Sequence, residues 1–106
     1  MYMISSYAEF SDVLSSNEAI LLYISSPSCS VCHALLPQVE SLITEFSAVT
    51  MIRADTAATP EIAGQLTVFS APAIIFFIHG KELFRMARFV PIETLKENIT
   101  NALKMI

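Results

Sequence analysis

Cys29 and Cys32 are the chain's only cysteines, and just Ser30 and Val31 stand between them. That spacing points to redox chemistry or metal ligation rather than to a structural staple, because a bond closing so short a loop constrains the unfolded chain little. Ser26-Pro27-Ser28 reads as a turn, and an apolar stripe of helical period begins directly after it, so Cys29 falls at the first turn of a helix. Unpaired backbone N–H groups and the helix dipole favour a thiolate at that position, and the thiolate is the species that attacks disulfides. Cys32 is then placed to attack a mixed disulfide formed at Cys29 and to close an intramolecular bond. The expected roles are Cys29 as nucleophile and Cys32 as resolving thiol. Next in line stands His33, whose imidazole can tune the thiolate.

Two other chemistries share these residues. Cys29-x-x-Cys32-His33 has the form of a c-type haem attachment motif, and two Cys with one His could supply three metal ligands. The first has no export signal to support it, since Met1-Tyr2-Met3-Ile4-Ser5-Ser6 lacks a basic n-region and a long apolar stretch. The second lacks a further C-x-x-C or a paired His. We therefore expect no cofactor, no metal and a cytoplasmic location.

The elements that must position the pair follow from hydrophobic periodicity. Tyr7, Phe10, Val13 and Leu14 mark a first helix over Tyr7 to Ser16, with Ser5 or Ser6 as N-cap. Ala19 to Ser25 is almost continuously apolar, as a strand covered on both faces would be. Val31, Leu35, Leu36, Val39, Leu42, Ile43 and Phe46 give the long helix of the cysteines, with Pro37 expected to kink it. A strand over Val49 to Ala54 is followed by a short helix from Thr59-Pro60 toward Leu66. Ala73 to Ile78 and Glu82 to Phe89 form a hairpin about His79-Gly80-Lys81, and Ile92, Leu95, Ile99, Leu103 and Ile106 stripe a last helix. After the first helix the order is βαβα, then ββα. This is an α/β arrangement, a central mixed sheet of four to five strands with helices on both faces.

Composition excludes several classes. A chain of 106 residues suits one domain, residues 1–106, and its 54% hydrophobic content suffices for a core without staples. The formal charge of −4 offers no basic surface for nucleic acid or an anionic membrane. No apolar run approaches the roughly 20 residues that a membrane helix needs.

Order and spacing over nearly the whole length resemble the thioredoxin family. Pro37, five residues after Cys32, falls where that family kinks its active-site helix, and Ala71-Pro72 falls where it has a cis-proline before the hairpin. The resemblance implies the thioredoxin fold and thiol–disulfide exchange on protein or small-molecule disulfides. It also implies a thioredoxin reductase as electron donor, and a docking surface of Val31, Ala71 and Pro72 in which the Ala71 backbone pairs with an extended substrate.

Several positions depart from the family pattern. Ser28 replaces the Trp before the first cysteine, and Ser30-Val31 replaces Gly-Pro. Tyr23 stands six residues before Cys29, in place of a buried acid, and a phenol with an ordinary pKa of about 10 is a poor base at neutral pH. Arg88 occupies the slot of a groove glycine, where it would stabilise the Cys29 thiolate or an anionic substrate. These departures also leave room for a redox-sensing or adaptor domain without efficient turnover.

Overall fold

In the computed structural model, which describes residues 2–106, the chain runs β1 (Tyr2–Met3), α1 (Tyr7–Ser16), β2 (Ala19–Ser25), α2 (Ser30–Ile43) and β3 (Val49–Asp55). It continues with α3 (Pro60–Leu66), β4 (Ala73–Ile78), β5 (Lys81–Ala87) and α4 (Ile92–Leu103). The strands form one sheet in the order β1-β3-β2-β4-β5. β1, β3 and β2 are mutually parallel, whereas β4 runs antiparallel to β2 and β5 antiparallel to β4.

The central position of β2 explains its lack of alternation. Each of its residues is buried, because both faces of the sheet carry helices. Ala19, Leu21 and Tyr23 point to one side, where they pack with Leu35, Val39 and Leu42 of α2 and Leu95, Ile99 and Ala102 of α4. Ile20, Leu22 and Ile24 point to the other, toward Phe10 and Val13 of α1 and Ile62 of α3. The same division runs through β4, with Ile74, Phe76 and Ile78 on the α2 side and Ala73, Ile75 and Phe77 opposite.

Local chemistry sets the element ends. The Ser6 hydroxyl accepts from the Glu9 N–H at 3.0 Å, and the Glu9 carboxylate accepts from the Ser5 N–H at 2.6 Å, so the start of α1 is capped from both directions. α2 continues through Pro37, whose ring nitrogen cannot donate to the His33 carbonyl one turn earlier. At the hairpin, His79 (φ 51°) and Gly80 (φ 78°) are both left-handed, the requirement of a two-residue type I′ turn. Lys81 pairs with Ile78 and belongs to β5 rather than to the turn.

One strand and two element ends differ from the sequence reading. β1 is a two-residue parallel strand on β3, too short to leave a period in the sequence. β5 stops at Ala87 instead of reaching Phe89, because Arg88 turns to φ 69° and leaves the extended region. The striping residue Ile106 likewise lies beyond α4, which ends at Leu103.

Candidate active site

β2 delivers the chain to the edge of the sheet at Ser25, the Ser26–Ser28 segment turns it, and α2 starts with Cys29 as its N-cap. Cys29 and Cys32 are joined as a disulfide, with Cα atoms 5.3 Å apart. The Cys32 N–H donates to Cys29 Sγ at 3.1 Å, so a free N–H of the first helical turn is aimed at this sulfur. Once the bond opens, that donor faces whatever negative charge Cys29 carries. The two sulfurs differ in access. Cys29 is half-buried and lines an open groove, whereas Cys32 is 1% exposed.

The groove, about 520 Å³ in volume, is lined by Ser26, Ser28, Cys29, Ser30, Val31, Ala71, Pro72 and Arg88. Four sequence-derived candidates, Val31, Ala71, Pro72 and Arg88, thus meet around Cys29. Val31 is 56% exposed, Ala71 is half-buried and Pro72 is buried. The Ala71–Pro72 peptide bond is cis. The Arg88 N–H donates to the Pro72 carbonyl at 2.8 Å, which ties the end of β5 to this segment. A cavity of similar volume, about 530 Å³, between the end of α1 and the hairpin turn contains no cysteine.

Tyr23 lies beneath. It is fully buried, and its hydroxyl donates to the Cys32 carbonyl at 2.6 Å. Burial pushes the phenol up to about 12, and the positive charge of Arg53 pulls it back only in part. At physiological pH Tyr23 is therefore a neutral hydrogen-bond donor that holds the Cys32 end of the pair, and it cannot take up a thiol proton as a carboxylate would. His33 is exposed on α2 and does not line the groove.

Sequence reasoning missed Arg53 and the three serines. Arg53 is the β3 partner of Tyr23 in the parallel register, on the same side of the sheet, and its Nε is buried without a hydrogen-bond partner. Strand pairing would have exposed it, but pairing register is not written in either strand alone. Ser26, Ser28 and Ser30 had been read only as turn formers or as replacements for family residues.

Among the described residues no group of three or more His, Cys, Asp and Glu side chains converges as a metal site would. No helix among the described residues is long and apolar enough to cross a membrane.

Comparison with known proteins adds sequence evidence to this geometry. The family model described as Thioredoxin matches residues 2–101. A thioredoxin-like protein of Bacillus subtilis, YdfQ, is 40% identical over 86 residues, which cover 79% of this chain and 75% of that protein. A thioredoxin of Chlamydia trachomatis is 33% identical over 85 residues, 80% of this chain and 82% of its own length. Among solved structures, the thioredoxin of Fasciola hepatica superposes with a TM-score of 0.88 at 25% identity, covering 95% of this chain and 98% of that one.

Proposed function

This chain belongs to the thioredoxin family of thiol–disulfide oxidoreductases, and from that premise we propose that Cys29 attacks the substrate disulfide while Cys32 resolves the intermediate. The observation that carries the assignment is the difference in access: Cys29 opens onto the groove, whereas Cys32 is 1% exposed.

The exchange balances in two displacements. The Cys29 thiolate forms a bond to one substrate sulfur, and the other substrate sulfur leaves as a thiolate that takes up a proton. Cys32, as thiolate, then attacks Cys29 Sγ and expels the remaining substrate sulfur. The substrate gains two electrons, and the protein ends with the Cys29–Cys32 bond described above. With no carboxylate in the Tyr23 position, the Cys32 proton passes to water or to the departing substrate thiolate.

Val31, Ala71 and Pro72 form the docking edge in this reading, with the Ala71 backbone open to an extended substrate segment. Tyr23 is a positioning residue that acts through the Cys32 carbonyl. A thioredoxin reductase is the proposed source of electrons. A reductive cycle of this kind suits the cytoplasm, where thiols are kept reduced.

Thiol trapping tests the assignment. Pre-reduced Cys32→Ser protein should accumulate a mixed disulfide with a peptide substrate through Cys29, visible by mass spectrometry, and Cys29→Ser should accumulate none. Trapping through Cys32 in the Cys29→Ser protein, with none in the other variant, would reverse the two roles.

A further inference from the structure

We propose that Arg88 recognises a carboxylate carried by the substrate beside its disulfide, so that the preferred substrates are extended peptide segments with an acidic residue next to the half-cystine. This deepens the reading above and rests on Cys29 attacking disulfides in the same groove.

The backbone supplies the first argument. Arg88 has φ 69°, a left-handed conformation that crowds the Cβ of any residue except glycine. Strained positions of this kind persist where the surroundings hold them, and they cluster at functional sites. Here the Arg88 N–H is held on the Pro72 carbonyl, 2.8 Å away, and Arg88 lines the groove that contains Cys29.

Charge supplies the second. Among the described residues Arg88 is the only charged one that lines the groove; its other walls are three serines, Cys29, Val31, Ala71 and Pro72. Ion pairs among the described residues join Arg85 to Glu82 and Lys96 to Glu45, and Arg88 takes part in neither. An exposed guanidinium with no carboxylate of its own offers a planar, two-pronged donor for one brought by a ligand. The serine hydroxyls beside it can donate to the remaining lone pairs.

Exposed aromatic residues on the two chain segments that supply Ala71 and Arg88 argue for a polypeptide. Phe69 is 92% exposed and Phe89 is 80% exposed, two residues from Ala71 and directly after Arg88. Apolar surface beside a backbone-binding edge suits the side chains of a peptide better than a small polar solute.

Ordinary electrostatics predicts the opposite preference. A carboxylate next to a disulfide repels an incoming thiolate, and a chain of net charge −4 repels it further. A preference for acidic substrates therefore requires a local cation.

The test is single-turnover reduction, by the pre-reduced full chain, of two synthetic peptides that each hold one intramolecular disulfide. They are identical except for Glu or Gln beside the half-cystine. Wild type should reduce the Glu peptide about 2- to 5-fold faster at low ionic strength, the size of one exposed ion pair. That ratio should shrink as salt is raised. Arg88→Gln should bring the ratio to about one or below, whereas Arg88→Lys should keep part of it and the distant charge change Lys81→Gln should keep all of it. Should Arg88→Gln fold poorly, Arg88→Gly removes the same cation while relaxing the backbone. Equal rates for both peptides in wild type, with Cys29-dependent turnover, would overturn the proposal and leave the oxidoreductase assignment standing. So would a preference that survives in Arg88→Gln or Arg88→Gly. Reduction of neither peptide would overturn the proposal together with the reading beneath it.

Discussion

Tyr23 shows how one substitution changes the chemistry beneath the cysteines without disturbing the packing around them. A carboxylate in this position would need a positive partner, or would have to be protonated, to remain buried; a phenol needs only a hydrogen-bond acceptor, and the Cys32 carbonyl provides it. Removing the hydroxyl in Tyr23→Phe should cost about 1 kcal/mol at neutral pH. Alkali should reverse the comparison. The folded phenol sits near 12 against an ordinary value of 10.0, so the unfolded chain releases this proton first as pH rises. The neutral phenol's contribution is complete below about pH 10, and as pH climbs toward about 12 the folded state loses on the order of 3 kcal/mol relative to the unfolded chain, more than the hydroxyl contributes at neutral pH. Denaturant melts at about pH 8 and about pH 11 should therefore show the gap between wild type and Tyr23→Phe closing or inverting. A gap that stays constant would mean that the phenol is not held in its neutral form by burial.

At the level of the elements, the hairpin gives the sharpest case of sequence chemistry fixing geometry. Gly80 has φ 78°, and a Cβ built there would meet no neighbour within 4 Å, so the only penalty for a side chain is conformational. Gly80→Ala should cost about 1 kcal/mol and Gly80→Asn less, because Asn tolerates the left-handed region; urea denaturation would separate the two. The glycine made this turn readable in advance, just as Pro27 and the stripe from Val31 to Leu42 marked where the cysteine helix begins. Arg88 gave no such mark. Its type is ordinary in a strand, and only the contact between its N–H and Pro72 shows why β5 ends before it. Arg53 was hidden for a related reason. A half-buried arginine in an apolar run reads as a surface residue until the register places it opposite Tyr23. What the sequence left illegible was therefore not the presence of elements, apart from the two residues of β1, but the contacts made between strands that lie far apart in the chain.

Across the whole molecule, the sheet divides the interior into two apolar layers, and among the described residues the buried side chains with polar or ionisable groups are Ser25, Thr59, Tyr23 and Cys32. The radius of gyration, 12.6 Å, is close to the roughly 13 Å of a folded body this long, so little of the chain stands apart from that interior. No Asp, Glu, His, Lys or Arg of the described residues lies wholly inside it. Tyr23 keeps its proton well past neutrality, so it adds no proton exchange of its own to the couple near pH 7. The redox midpoint should then behave as a plain two-electron, two-proton electrode. It should fall by about 59 mV per pH unit while both thiols are protonated, and by about half that once the first has ionised. Electrochemical titration against pH should trace straight segments joined only at the ionisations of the two thiols, the last segment being flat. An extra bend would betray a proton carrier within the fold. With no further proton carrier inside the fold, this midpoint falls in step with that of a substrate dithiol, and the direction of exchange stays nearly indifferent to the acidity of the surrounding solution until one of the thiols ionises.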